Sequence, residues 1–208
     1  MTLSAKGTRL NRRGLETRTQ LLDAAVACLA EGGPEAVSAN QIARRAGVTW
    51  GVVQHQFGDV DGLWAAVLDH ISADFGSMTP RLSEKPALGD RVSVIVDRLW
   101  RAVDLPGSHA IYHLRLGLPQ RLQDLKDNFP RTAVSLAAWD EKWTAACTRA
   151  FADLDVDPDK LAKVIGFLPG AMMGLRNEMH LVTYADLDQA RQGLSEAIAA
   201  YLAVDQAD

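Results

Sequence analysis

Cysteine is scarce in this chain of 208 residues, and its two cysteines, Cys28 and Cys147, lie far apart in the sequence. They form no CxxC pair and no spacing typical of a zinc finger, so we expect neither a disulfide framework nor a metal site. Long apolar runs are also missing, since none reaches the roughly 20 residues that cross a membrane. The first residues are polar and basic and contain no apolar signal core. We therefore expect a cytoplasmic protein with no membrane partner.

Alternating apolar and polar residues, the pattern of half-buried strands, are absent as well. We find no internal repeat and no low-complexity segment. Hydrophobic residues make up 48% and charged residues 23% of the chain, which is ordinary for a packed protein. Apolar residues recur instead at spacings of three and four, so the sequence predicts an all-α fold.

Charge is distributed unevenly along the chain. Residues 1–57 contain seven basic and four acidic residues, a net charge of +3. Because the whole chain carries −4, the remainder carries −7. A basic N-terminal part on an acidic body is the arrangement expected if only the N-terminal part approaches phosphates.

The helical pattern divides the chain into two predicted domains. Residues 1–57 form a basic arm and a three-helix head, and residues 58–208 form a helical effector-binding and dimerisation domain that begins with a connecting helix at 58–75. Gly76–Gly89 contains two prolines and is predicted to be a loop. The other predicted helices are Arg13–Glu31, a short helix after Ser38, Thr49–Gln56, Leu88–Val103, Ser108–Leu125, Phe129–Leu154, Pro158–Leu181 and Asp186–Val204.

The segment Ser38–Phe57, SANQIARRAGVTWGVVQHQF, is typical of a helix-turn-helix. Ser38 with Gln41 three residues later is a capping box, and Gly47 allows the chain to turn with positive φ. Thr49 is placed to cap the next helix. We expect that helix to present a polar outer face on which Gly51 leaves room for close backbone approach.

Three short strings, TRTQLLDAA at Thr17–Ala25, IARRAGV at Ile42–Val48 and GVVQHQF at Gly51–Phe57, together resemble the tetracycline-repressor family. The resemblance covers about residues 13–68. It implies a DNA-reading head on a variable helical ligand-binding domain. The residues that it implies to face DNA are Ala39, Asn40, Thr49, Trp50, Val52, Gln54, His55 and Gln56.

The chain departs from the family pattern at three positions. Gln54, Gln56 and Val60 stand where the family commonly has Tyr, His and Lys. Val60 cannot neutralise a phosphate, and it lies between Asp59 and Asp61, so we expect weaker phosphate anchoring there.

Basic residues elsewhere in the head offer compensating contacts. Lys6, Arg9, Arg12 and Arg13 are predicted either to form a flexible arm on the DNA backbone or minor groove, or to be a solvated tail. Arg44 and its neighbour Arg45 are open to the same two interpretations, phosphate contact or a solvated helix face.

The last two predicted helices are the candidates for dimerisation. Gly166, Gly170 and Gly174 form a smooth stripe on one. The apolar residues predicted to line the other include Leu187, Leu194, Ile198 and Tyr201. Packing within one chain would explain the same pattern, whereas the resemblance implies a four-helix interface between two chains.

Aromatic, basic and methionine residues concentrate in the body, where we expect an apolar or aromatic effector to bind. The candidates are Trp100, Tyr112, His113, Arg115, Trp139, Trp143, Phe167, Met172, Met173 and Arg176. Core packing explains any single one of them better. His109 and His113 have the i, i+4 spacing of a metal pair, but no further ligand pattern supports one, so we expect no metal and no cofactor.

The sequence therefore predicts a homodimeric transcriptional regulator, a repressor that a small apolar or aromatic effector releases from a palindromic operator. One alternative is a helical interaction module that has lost DNA binding, which the Val60 departure favours. A helical metal or hydrolytic enzyme is disfavoured, because the sequence contains no zinc-protease motif and no Gly-x-Ser-x-Gly. We expect the chain not to be an enzyme.

Overall fold

A computed structural model describes residues 4–5, 7–32, 38–75, 87–178 and 186–203. Within these ranges the chain forms ten helices and no strand, which confirms the predicted all-α class. No helix in this part of the chain is both long and apolar enough to cross a bilayer. The helices are α1 (Arg12–Glu31), α2 (Ala39–Arg45), α3 (Trp50–Phe57), α4 (Val60–Phe75), α5 (Leu88–Val103), α6 (Pro106–Gly117), α7 (Leu122–Asn128), α8 (Pro130–Phe151), α9 (Pro158–Glu178) and α10 (Leu187–Ala203).

Local signals in the sequence set where the first helices begin and end. The Asn11 side chain accepts a hydrogen bond from the Gly14 amide at 2.8 Å and caps α1. The Ser38 hydroxyl likewise accepts from the Gln41 amide, at 3.4 Å, and caps α2 as predicted. Gly47 has a φ of 67° in the turn between α2 and α3, a conformation that favours glycine.

The predicted helix Ser108–Leu125 is wrong, because the structure contains two helices there, α6 and α7. Pro119 lies between them; it lacks an amide hydrogen and disfavours helical backbone at the residue before it. Leu118 accordingly has extended backbone, with φ −90° and ψ 160°. In the predicted loop Gly76–Gly89, residues 76–86 lie outside the described residues, and Leu88 and Gly89 already belong to α5.

The described residues form two compact units, which do not follow the predicted boundary at residue 57. The first unit takes the described residues of Met1–Ser77 together with Leu105–Asp140. The second takes those of Met78–Asp104 and Glu141–Asp208. The sequence of α8 therefore contributes its first part to one unit and its last part to the other.

The three head helices contribute only part of the core of the first unit. Buried residues of α1, α2 and α3 pack with those of α4 and α6, and Leu136 of α8 joins them. The Ala110 and Leu114 side chains of α6 are fully buried in this core. This shared core explains why the head does not separate as a compact unit of its own.

The second unit is built from α5, α9, α10 and the end of α8. Its buried residues include Val92 and Ile95 of α5, Phe151 of α8, and Leu168 of α9. Arg91 of α5 is also buried, and its guanidinium bonds the Asp153 carboxylate and, at 3.0 Å, the Ala150 carbonyl. A buried charge needs such partners to offset its loss of hydration.

Candidate nucleic-acid interface

Helices α2 and α3 form a helix-turn-helix whose inner faces are apolar. Ile42 and Val53 are fully buried, and Phe57 is nearly so. The Val48 amide donates to the Ala43 carbonyl at 3.0 Å, which ties the turn back to α2. The inner anchors thus fix which side of α3 faces outward.

The outer face of the helix-turn-helix carries polar side chains from both helices. The residues predicted to face DNA that the structure places in the open are Asn40, Arg44, Thr49, Gly51, Gln54 and His55. Thr49 occupies the N-cap position of α3, but the predicted cap is wrong, because its side chain makes no capping bond. Its exposed hydroxyl is one of several hydrogen-bonding groups on this face that are suited to phosphates and base edges.

Four residues of the predicted DNA-facing set do not lie fully outward. Trp50 and Val52 are half-buried and pack against the core of the first unit. Ala39 is 9% exposed and belongs to that core. Gln56 is 4% exposed, and its side-chain nitrogen donates to the Gly14 carbonyl at 3.0 Å. The predicted outward orientation of Ala39 and Gln56 is therefore wrong: the helical rotation at these positions turns both side chains toward α1 and the core.

The structure does not show a flexible arm at Arg12 and Arg13, the last two residues of the predicted arm. Arg12 and Arg13 lie in the first turn of α1. Arg12 pairs with Glu16 one turn later at 2.9 Å, an exposed contact of little energetic weight. Arg9 is exposed, and Lys6 lies outside the described residues. Phosphate contact stays a prediction for Arg12 and Arg13 at the start of α1 and for Arg9 just before it.

The structure separates Arg44 from Arg45. Both Arg45 terminal nitrogens bond the Glu31 carboxylate, at 2.6 and 2.7 Å, which ties α2 to α1. Arg44 is exposed on the outer side of α2. Phosphate contact therefore stays a prediction for Arg44, whereas Arg45 has a structural partner.

A cluster around Asp61 was missed by sequence reasoning. The nearly buried Asp61 carboxylate accepts from the Arg131 backbone amide and from its Nε, both at 3.1 Å. It also accepts from the Thr132 amide at 2.9 Å and the Thr132 hydroxyl at 2.8 Å. Burial acts to raise the pKa of Asp61, but the hydrogen bonds from Thr132 and Arg131 outweigh it and hold the pKa below 3.8.

Nothing in the sequence signals this cluster, because Asp61 and Arg131 are separated by 70 residues. The acidic pair that flanks Val60 is therefore used within the protein. Asp59 also bonds the Arg131 guanidinium, so its charge has a nearby counter-ion.

The predicted effector residues divide between the two units. In the first unit, Trp139 packs against the core, the Arg115 guanidinium pairs with Asp140 at 2.6 Å, and the His113 ring nitrogen Nδ1 lies 2.7 Å from the Leu29 carbonyl. His113 is thus engaged with the end of α1. These contacts explain the three residues by packing and pairing within the first unit.

In the second unit, Trp100, Trp143 and Met173 all border the same core. The Trp143 indole nitrogen donates to the Ile165 carbonyl at 3.0 Å. The space enclosed within that core is about 10 Å³, no more than a single water occupies. Arg176 pairs with Asp104, and Phe167 is 45% exposed.

The predicted dimer residues fall on two kinds of surface. Gly166, Gly170 and Gly174 are exposed, and a Cβ added at any of them would meet no atom within 4 Å. Tyr201 is 39% exposed. Leu187 and Leu194 are half-buried. Ile198 is 3% exposed because it packs into the core of its own chain, so its predicted place on the dimer face is wrong.

Comparisons with known proteins match this geometry. Residues 21–67 match the family model described as bacterial regulatory proteins, tetR family. The HTH-type transcriptional regulator BetI of Burkholderia cenocepacia is 39% identical over 64 residues, which are 31% of this chain and 33% of that protein. BetI of Burkholderia thailandensis is 38% identical over the same shares. The chain thus covers about a third of the length of the curated relatives it matches.

Solved structures extend the likeness in fold to most of the chain. A tetR-family transcriptional regulator from Streptomyces coelicolor has a TM-score of 0.67 at 21% identity, over 91% of this chain and 82% of that one. The multidrug binding protein EbrR has a TM-score of 0.59 at 22% identity, over 99% of this chain and 100% of that one. NalD of Pseudomonas aeruginosa has a TM-score of 0.61 at 24% identity, over 94% of this chain and 100% of that one. The BetI relatives are transcriptional regulators, in agreement with the prediction that the chain is not an enzyme. Residues 21–67 are thus similar to the tetR family of bacterial regulatory proteins, and the fold of the chain is similar to that of a tetR-family structure.

Proposed function

We propose that the protein binds a palindromic operator as a homodimer and releases it when a small apolar or aromatic effector binds the helical domain. The observation that carries the DNA-binding part is the outer face of α2 and α3. Asn40, Thr49, Gln54 and His55 lie exposed there while Val53 anchors the inner face. Gln and Asn side chains can pair bidentately with adenine in the major groove, and Thr and His reach phosphates.

The dimeric part rests on the surfaces of α9 and α10. The glycine stripe at Gly166, Gly170 and Gly174 gives α9 a smooth face onto which a second helix can pack closely. Phe167 beside it and Tyr201 on α10 are large hydrophobic residues left exposed in the single chain. Their exposure beside the smooth face supports placing the dimer interface there. Two α3 helices of such a dimer enter successive major grooves when they lie roughly 34–36 Å apart.

The effector part rests on the second unit, where Trp100, Trp143 and Met173 border one core. The similar protein EbrR is described in complexes with imidazole and with proflavin. The cavity inside that core, lined by residues such as Val92, Phe151 and Ile198, is only about 10 Å³, so an effector that enters the core must separate its side chains. Binding that favours this opened state lowers DNA affinity if the two states differ in the spacing of their α3 helices.

Selection from a randomised duplex pool tests the proposal. The purified protein is titrated with the pool at several salt concentrations, and the bound fragments are sequenced. We expect a palindrome with half-sites about one helical turn apart. A folded protein that enriches no sequence would contradict the proposal and favour the interaction-module alternative.

A further inference from the structure

The C-terminal end of the recognition helix α3 is held by its own C-cap residue and by donors from three distant parts of the chain. The Gln54 carbonyl accepts from the Gly58 amide at 2.8 Å, and the His55 carbonyl from the Ala5 amide at 3.2 Å. The Gln56 carbonyl accepts from the Arg18 guanidinium at 2.9 Å. The Phe57 carbonyl accepts from the Arg131 guanidinium at 3.4 Å.

These are the last four carbonyls of α3, and the last four of any α-helix have no partner within the helix. Helix α3 has only eight residues, and so short a helix has little stability of its own. Two cations at its C-terminal end also interact favourably with the helix dipole. The direction in which α3 points therefore depends on groups outside it.

Arg131 is itself held rigidly in the position from which it reaches α3. Its Nε donates to Asp61, and its terminal nitrogens bond Asp59 and the Phe57 carbonyl. Asp61 in turn accepts from the backbone amides of Arg131 and Thr132, which are free donors in the first turn of α8. One residue thus joins the beginning of α8 to the end of α3.

Gly62 leaves the room for this contact. A Cβ at this position would lie 2.1 Å from the Phe57 carbonyl oxygen and 2.6 Å from an Arg131 terminal nitrogen. Any side chain would therefore collide with the acceptor and the donor together. A glycine, which has no Cβ, therefore occupies the point where the two groups meet.

We propose that Arg131, together with Arg18, is a positioning residue for DNA reading: it sets the orientation of α3 from outside the helix-turn-helix. This inference rests on the proposed DNA-binding function. Arg131 lies on α8, beyond residues 21–67 that match the family model. The charge of Arg131 is taken up by Asp59 and Asp61, so its contribution to binding comes through α3 rather than through a phosphate.

Three variants separate orientation from charge. Arg131→Met removes the donor, whereas Arg131→Lys keeps the charge but loses the planar fork that reaches three acceptors. Arg149→Met is the matched control, because Arg149 is exposed on the same helix and its loss changes the net charge equally. Circular dichroism confirms that each variant is folded.

The readouts are the dissociation constants for the selected operator and for random duplex, and amide hydrogen exchange in the protein without DNA. We expect both Arg131 variants to lose about tenfold or more in operator affinity, the scale of a hydrogen bond to a charged group, with a much smaller change on random DNA. We expect their α3 amides to exchange faster while those of α9 keep the wild-type rate. Arg149→Met should match the wild type in every readout.

Wild-type operator affinity and wild-type α3 exchange in both Arg131 variants would overturn the inference. If Arg131→Met fails to fold, Arg131→Lys and Arg18→Lys carry the same comparison. If the wild-type protein binds no duplex, the proposed function fails, and the exchange of α3 amides still decides whether Arg131 holds the helix.

Discussion

The Gln56 side-chain nitrogen donates to the Gly14 carbonyl oxygen at 3.0 Å and so joins the recognition helix to α1. Gln56 is buried, while Gln54 two residues earlier is exposed. The two glutamines of one short helix therefore lie in different surroundings: Gln56 bonds within the protein, whereas Gln54 is open to a partner.

We expect Gln56→Ala to lower the free energy of unfolding by about 1–2 kcal/mol, because the buried Gln56 side chain loses its packing and its hydrogen bond to the Gly14 carbonyl. Gln54→Ala and Thr49→Ala should each leave the free energy of unfolding within about 0.5 kcal/mol of the wild type. These two variants should instead weaken specific DNA binding by about 1–3 kcal/mol. Urea unfolding and operator titration measure the two effects. A large stability loss in Gln54→Ala, or none in Gln56→Ala, would contradict this division.

Gly170→Arg tests the dimer face on α9. Gly170 is exposed and a Cβ at this position meets no atom within 4 Å, so we expect the arginine to extend into solvent and the chain to fold normally. Across a close helix pair the same side chain would bury an unpaired charge, and we expect the dimer dissociation constant to rise by about a hundredfold or more.

Light scattering over a range of protein concentrations measures that constant. Gly89→Arg is the matched control, since Gly89 is an exposed helical glycine with the same open surroundings. A Gly170→Arg protein that dimerises as tightly as the control would place the interface elsewhere.

Asp61 makes the free energy of unfolding of the first unit depend on pH in the acid range. Because the folded-state pKa of Asp61 lies below 3.8, the unfolded state takes up this proton first as the pH falls. The stabilising contribution is therefore present above pH 3.8 and is lost as the pH falls through the folded-state pKa. Thr132→Val removes the hydroxyl that donates to Asp61 at 2.8 Å, so it should bring this pKa back toward 3.8.

Urea unfolding from neutral pH downward measures the effect. We expect Asp61→Asn to be less stable than the wild type at neutral pH and to lose less stability on acidification. Equal acid dependence in Asp61→Asn and the wild type would rule out this linkage.

Cys147 should be unreactive in the folded protein. Burial raises the pKa of its thiol to about 12, so the reactive thiolate fraction at neutral pH is about a thousandfold smaller than at the ordinary value of 9.0. In a Cys28→Ala variant, which isolates Cys147, alkylation should be slow in buffer and fast in denaturant. Equal rates under the two conditions would show that Cys147 is accessible in the native state.

The parts of the site that could be predicted from the sequence are those that depend on neighbouring residues. The cap at Ser38, the glycine turn and the helical spacing each involve residues within four positions of one another. The inward turn of Gln56 was missed because its partner lies 42 residues away. The division between α6 and α7 was missed although Pro119 signals it, because the apolar spacing continues through the proline.

The sequence by itself determined the all-α class, the helix-turn-helix and the similarity of residues 21–67 to the tetR family, because helix periodicity, capping and the matched strings are all short-range patterns. Only the tertiary structure decided which distant groups meet. Periodicity reveals that a helix has a buried side but does not specify which helix covers it. Arg131 reaches the Phe57 carbonyl across 74 residues because packing brings the beginning of α8 to the end of α3, and Gly62 leaves the space for that contact.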